Sequence, residues 1–201
     1  MPDRLTLGFD TSAAHCAAAL LRGDTLLTSR NEEMAKGQAE RLMPMIEEML
    51  AEAGVGFRDI DVIGVGVGPG NFTGIRVAVA AARGLALAMG VPAIGIGATE
   101  ALAFGLPRPC RIAIPSRNDT LIWQDFAPGD EPMAGGRPQQ AATGALPPGP
   151  APAAPAVEIA EGVARVARLM SDRGDLPRPA PLYLRAADAA PGRDAPPTIL
   201  P

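Results

Sequence analysis

Aromatic residues make up only 3% of this 201-residue chain, and it carries one histidine and two cysteines. With so few rings, the core has to be assembled from Ala, Val, Ile, Leu and Met, which favours close packing of helices on a sheet. Cys16 and Cys110 lie far apart and form no C-x-x-C pattern, so two buried, reduced thiols are expected. A zinc site usually takes about three or four ligands. His15 and Cys16 are adjacent in an expected strand, where successive side chains point to opposite faces, so no metal site is expected. An endopeptidase needs a metal site or a nucleophile pair, and with His15 as the sole histidine the sequence offers no base for one.

Positive charge is also scarce. A net charge of −4 and a pI near 5.1 argue against autonomous nucleic-acid binding, whose affinity comes from Lys and Arg neutralising phosphates. RNA, where it is involved, is expected to be held mostly by another protein. No run of about 18 consecutive apolar residues occurs, so no membrane-spanning helix is expected. Met1-Pro2-Asp3-Arg4 leads straight into an apolar run without a signal-peptide layout, which makes a cytoplasmic location the expectation. What the chain does have is apolar mass: 47% hydrophobic residues, enough for the core of one ordinary domain or two small ones.

Leu5 to Phe9, Ala14 to Leu21 and Thr25 to Ser29 read as a three-stranded meander, with turn formers Asp10-Thr11-Ser12 after the first run and Arg22-Gly23-Asp24 at a hairpin. From Gln38 to Ala53, apolar residues recur at offsets of three and four (Leu42, Met45, Ile46, Met49, Leu50, Ala53), the mark of an amphipathic helix ended by Gly54. Asp61 to Val67 reads as a buried strand. A helix is expected from about Gly74 to Met89, closed by Gly90, followed by a strand at Ala93 to Ile96 and a helix from Thr99 to about Phe104. The order βββαβα implies a mixed α/β sheet with helices packed on it. After Leu106, Arg111 to Ile114 and Thr120 to Phe126 suggest a small hairpin around Ser116-Arg117-Asn118-Asp119. Residues 127–156 are dominated by Pro, Gly and Ala and read as a linker or long mobile loop. A helix resumes at about Val157 to Met170, and from Gly174 the chain is Pro-rich, with Pro181 to Arg185 extended. Residues 1–106 are thus expected to form one lobe and residues 107–201 a smaller, shortened one.

The stretch GVGPGNFTGIRVAVA, Gly66 to Ala80, joins an expected strand to an expected helix through glycines. Such a turn either cradles an anion on the helix N-terminus or merely permits a tight connection. βββαβα with an Asp ending the first strand is the half-domain pattern of the actin, hexokinase and Hsp70 superfold, also described as ribonuclease H-like. In that superfold the phosphate turn carries a glycine, whereas here it reads Asp10-Thr11-Ser12-Ala13. A vestigial phosphate turn at Asp10, Thr11 and Ser12 is one reading, and plain turn capping by Asp10 is the other.

Phe9-Asp10-Thr11-Ser12, then Glu40 to Ile46, then Gly68-Pro69-Gly70-Asn71-Phe72-Thr73-Gly74-Ile75-Arg76, in that order, closely resemble the TsaB, or YeaZ, family over about residues 4 to 105. Ala180 to Arg185 resembles the family's C-terminal Leu-Tyr-Leu-Arg segment. The chain departs from the family pattern at Gln38, where His is common, and at Pro115-Ser116-Arg117, in place of an Asp-Ala-Arg-like turn. The resemblance implies an actin-like, two-lobed protein without catalytic residues or cofactor of its own. It implies a subunit that dimerises with TsaD and works with the TsaE ATPase, meeting tRNA only through the complex, with a homodimer as the alternative assembly in isolation. The product implied is threonylcarbamoyl on N6 of the adenosine beside the anticodon in tRNAs that read ANN codons. An ATP-binding enzyme of the sugar-kinase superfold is the competing expectation. An apolar helical stripe is more often core than interface. Yet methionine suits protein partners, and Met43 lies off the main stripe. Leu42, Met43, Met45, Ile46, Met49, Arg76, Val79 and Arg83 are therefore the expected partner interface, with Gly68, Pro69, Gly70, Asn71, Phe72, Thr73 and Gly74 as the signature loop.

Overall fold

The computed structural model describes residues 3–129, 136–173 and 176–184. Met1, Pro2, Gly174, Arg185 and part of the Pro/Gly/Ala-rich stretch, all singled out above, lie outside the described residues. The larger sheet has the order β3-β2-β1-β4-β5. Its strands are β1 (Leu5–Asp10), β2 (His15–Arg22), β3 (Thr25–Glu33), β4 (Val62–Gly66) and β5 (Ala93–Ile96). β1-β2 and β2-β3 pair antiparallel, while β4 pairs parallel with both β1 and β5. This meander followed by parallel crossovers is the actin-like, ribonuclease H-like arrangement. β3 runs four residues past the expected Ser29, because an edge strand exposes alternate residues to water and so reads as polar.

Helices cover both faces. α1 (Gln38–Glu52) and α2 (Phe72–Met89) pack on the face formed by Leu5, Leu7, Phe9, Cys16, Leu20, Ile63 and Val65. α4 (Ile159–Met170) covers the opposite face together with α3 (Ala98–Leu102). α4 was expected in the smaller C-terminal lobe, yet it closes the N-terminal sheet. The reason is steric: Gly8 leaves a groove on β1, and a Cβ there would sit 2.6 Å from Ala164 Cβ. Small residues on both sides let the helix approach closely, burying Ala160, Val163, Ala164 and Ala167.

A second sheet has the order β6-β7-β8, formed by Cys110–Ser116, Thr120–Phe126 and Gln139–Ala142. β8 lies within residues 127–156, which the sequence suggests to be a linker or long mobile loop, and corrects that reading at Gln139–Ala142. Farther along, Pro152 bridges to Arg111, and Arg111 Nη1 donates to the Pro147 carbonyl at 2.7 Å. Proline rarely joins a central ladder, but a strap can be held by its carbonyls and by a side chain from the sheet. The Gly68–Pro69 and Arg108–Pro109 peptide bonds are cis.

α2 is long and apolar enough, by length and composition, to cross a membrane, with a mean hydropathy of 1.4 over 18 residues. One stripe of it, Ile75, Ala78, Val79 and Ala82, is buried against the sheet, while most of its residues are not buried.

Candidate functional site

Asp10 ends β1, the central strand of the larger sheet, and is fully buried. Its Oδ1 accepts from Ser12 N at 2.8 Å and from Ser12 Oγ at 2.9 Å, closing an Asx-type turn. The same oxygen meets His15 Nε2 at 2.6 Å, a contact the sequence reading missed because the two residues sit on different strands. Oδ2 has no hydrogen-bond partner among the described residues and faces Gly66, where a Cβ would fall inside the carboxylate.

The turn is plugged into the signature loop. Asn71 N donates to Ser12 O at 2.5 Å, and Thr11 Oγ1 donates to Gly74 O at 2.7 Å. A Cβ at Gly70 would strike Ser12 O, and one at Gly74 would strike Thr11 O, so these glycines serve close backbone approach. Asn71 caps α2, its Oδ1 accepting from Thr73 N at 3.0 Å and Gly74 N at 3.3 Å. That cap is why α2 begins at Phe72 and not at Gly74. The Thr11 and Ser12 hydroxyls and the N–H groups of Ser12, Asn71, Thr73 and Gly74 are therefore engaged within the protein itself.

Of the expected interface residues, Leu42, Met45, Ile46, Met49 and Val79 are buried in the protein's own core. This corrects their assignment: the stripe of α1 is consumed by the sheet, leaving no surface for a partner. Met43 is half-buried, and Arg76 and Arg83 are exposed. Outward on α2 stand Arg76, Ala80, Arg83 and Leu87, one helical face by spacing, with Leu87 87% exposed. Outward on α1 stand Glu40, Pro44, Glu47 and Ala51. Sequence pattern alone did not pick out Leu87, because an isolated leucine opposite an apolar stripe carries no periodic signal. At the start of α2, Phe72 stacks on Tyr183 with centroids 5.0 Å apart. Arg76 lies over Phe72 and donates from Nε to Tyr183 Oη at 3.1 Å.

Gln38, the departure noted above, donates to Met34 O at 3.0 Å. Beside it an open cleft of about 490 Å³ separates the starts of α1 and α2, lined by Lys36, Gln38, Glu40, Asn71, Thr73 and Arg117. Burial, reinforced by the Glu32 carboxylate, pushes the Cys16 thiol up to about 11, which leaves it protonated and inert near neutrality. Among the described residues no group of three or more His, Cys, Asp or Glu is placed to hold a metal ion.

Comparison with known proteins follows the same lines. Residues 30–133 match the family profile described as TsaD, tRNA N6-adenosine threonylcarbamoyltransferase. The chain is 40% identical over 125 residues to the tRNA threonylcarbamoyladenosine biosynthesis protein TsaB of Haemophilus influenzae, covering 62% of this chain and 44% of that protein. The chain thus spans less than half the length of the curated relatives it matches. A crystal structure of an uncharacterised Pseudomonas aeruginosa protein, described as similar to peptidase YeaZ, aligns with TM-score 0.73 and 26% identity, covering 90% of this chain and 100% of that one. The structure of YeaZ from Pseudomonas aeruginosa aligns with TM-score 0.70 and 25% identity, covering 89% and 100%. With a matched span of more than half its residues and a fold that aligns with YeaZ over 89% of the chain, the chain belongs to the TsaD-type tRNA N6-adenosine threonylcarbamoyltransferase family, on its TsaB (YeaZ) branch.

Proposed function

We propose that the chain is a non-catalytic subunit of the machinery that makes threonylcarbamoyladenosine in tRNA, pairing through the outer faces of α1 and α2 with a TsaD-type transferase. The observation that carries this reading is the outward row of α2, where Leu87 stands 87% exposed at the end of the exposed positions Arg76, Ala80 and Arg83. An apolar side chain left in water at the end of a cationic helix face suits a protein partner. The acidic face of α1, with Glu40 and Glu47, lies beside the basic face of α2, with Arg76 and Arg83. A partner of the same family presents helices of the same layout, so acidic and basic halves can meet in register across a pseudo-two-fold.

On this reading the partner contributes the metal site and the transfer of threonylcarbamoyl from its adenylate to N6 of the adenosine. The TsaE ATPase joins the pair, tRNA is held by the assembly, and the complex works in the cytoplasm. The single histidine of this chain fits a supporting role, because a metal centre draws on several ligands.

The test is reconstitution. Co-expression with the TsaD-type protein of the same source is expected to yield a complex in equal amounts. Formation of threonylcarbamoyladenosine in a purified mixture is expected to stop when this chain is omitted. Full activity without it would overturn the reading.

A further inference from the structure

We propose that His15 and Asp10 form a positioning pair that seats the N-terminus of α2 and so sets the geometry of the partner-facing helix. The docking half of this inference rests on the pairing reading above; the seating half does not. The chain of contacts is continuous. His15 Nε2 donates to Asp10 Oδ1 at 2.6 Å, and Asp10 Oδ1 holds Ser12 through its N–H and hydroxyl at 2.8 and 2.9 Å. The Ser12 carbonyl receives Asn71 N, and the Thr11 hydroxyl reaches the Gly74 carbonyl. Asn71 caps the helix that carries Arg76, Ala80, Arg83 and Leu87.

Two features make His15 the decisive member. Asp10 is fully buried with Oδ2 unpartnered against Gly66, so its charge is answered on Oδ1 alone. Apart from His15, the donors to that oxygen among the described residues, Ser12 N and Ser12 Oγ, both belong to the residue being positioned. Removing the imidazole leaves a desolvated carboxylate held only by its own turn, and such a group reaches for water. The turn can move outward only by withdrawing Ser12 O and Thr11 from the start of α2. The side chain of His15 is 18% exposed, so a polar replacement is tolerated there.

The experiment uses His15→Ala and His15→Gln, since the glutamine amide nitrogen lies the same number of bonds from Cα as Nε2. Amide hydrogen exchange in the isolated chain is read at Asn71, Thr73 and Gly74, with the amides of α4 as reference. His15→Ala is expected to speed exchange at those sites about tenfold, equivalent to about 1.4 kcal/mol of local opening, with α4 unchanged. His15→Gln is expected to restore wild-type protection, which a role in filling space alone would not predict. Affinity for the TsaD-type partner, measured by calorimetry, is expected to fall and recover in the same order. His15→Asn, whose amide stops one bond short, replaces alanine if that variant does not fold. Unchanged exchange in His15→Ala, or equal loss in the alanine and glutamine variants, overturns the positioning pair. A wild-type chain that binds no TsaD-type partner overturns the docking half and the pairing reading, while exchange at Asn71 to Gly74 still decides the seating.

Discussion

A methyl group at position 74 would have to share space with the carbonyl oxygen of Thr11, and neither backbone can retreat without opening the seat of α2. Gly74→Ala is therefore expected to cost about 1–3 kcal/mol, the range typical of overpacking, despite alanine's better helix propensity. Urea denaturation reads the loss directly, and a gain in stability would mean that the close approach is not what keeps glycine there. Cys16 gives a second residue-scale expectation. Buried and with its thiol pushed up to about 11, it should resist a thiol reagent at pH 8 until the protein unfolds, so that labelling tracks global opening. The spacing of the glycines around Asn71 was legible in the sequence as a strand-to-helix turn. Its purpose was not, because what the glycines admit is the backbone of residues 11 and 12, some sixty positions away. The His15 contact to Asp10 was missed for a different reason: the two are only five positions apart, and the turn between β1 and β2, which carries no periodic signal, folds the imidazole back onto the carboxylate.

At the scale of elements, α1 is joined to β3 by a lattice of charges. Arg41 bridges Glu32 on β3 and Glu48 on its own helix, and Arg30 reaches Glu48 and Glu52. The Arg41 guanidinium, and behind it Arg30, holds the Glu48 carboxyl down to about 2, and Arg41 likewise lowers Glu32. Depressed carboxylates stabilise the fold above their unfolded pKa and lose that contribution as pH falls through the folded one. The loss is thus expected between the ordinary value of 4.5 and about 2. Glu48→Gln should flatten the stability profile in that window by lowering its neutral end, modestly because exposed pairs contribute little and are screened by salt, with stability near pH 2 unchanged. α2 makes the complementary point about surface. Leu87→Glu removes the exposed apolar residue without touching the core. Stability should therefore stay within about 0.5 kcal/mol, while co-purification with the TsaD-type partner is lost. The period of α1 announced which residues are apolar but not what they meet; its own sheet takes them, and the outward side is what remains for a partner.

Across the whole molecule, the order of elements and the mixed sheet followed from the run of apolar segments, whereas the order of the strands and the organisation of the Pro-rich stretch did not, the latter because one side chain supplies much of it. Arg111 is 2% exposed on β6 and gathers three contacts that composition cannot foretell. Its Nε and Nη2 reach both oxygens of Asp125 at 2.5 and 2.7 Å, Nη1 reaches the Pro147 carbonyl, and the guanidinium lies 4.8 Å from the Trp123 ring centroid. Its backbone carbonyl takes the N–H of Ala153 at 2.8 Å, so residues 147–153 are pinned at both ends of one residue. Arg111→Met keeps most of the buried stem and the backbone bond but removes the guanidinium. Asp125 is partly open to water and can rehydrate, which limits the damage to about 1.5–3 kcal/mol, the worth of hydrogen bonds to a charged group. The strap should then open locally before the rest of the fold, because its remaining anchors are backbone pairings beside prolines that donate nothing. Limited proteolysis is expected to show new cleavage between residues 143 and 157, with the larger sheet intact and exchange at β1 and β4 unchanged. Cleavage no faster than in the wild type would mean that the Pro152 bridge and the Ala153 bond suffice to hold the strap, and that Arg111 serves only its own sheet.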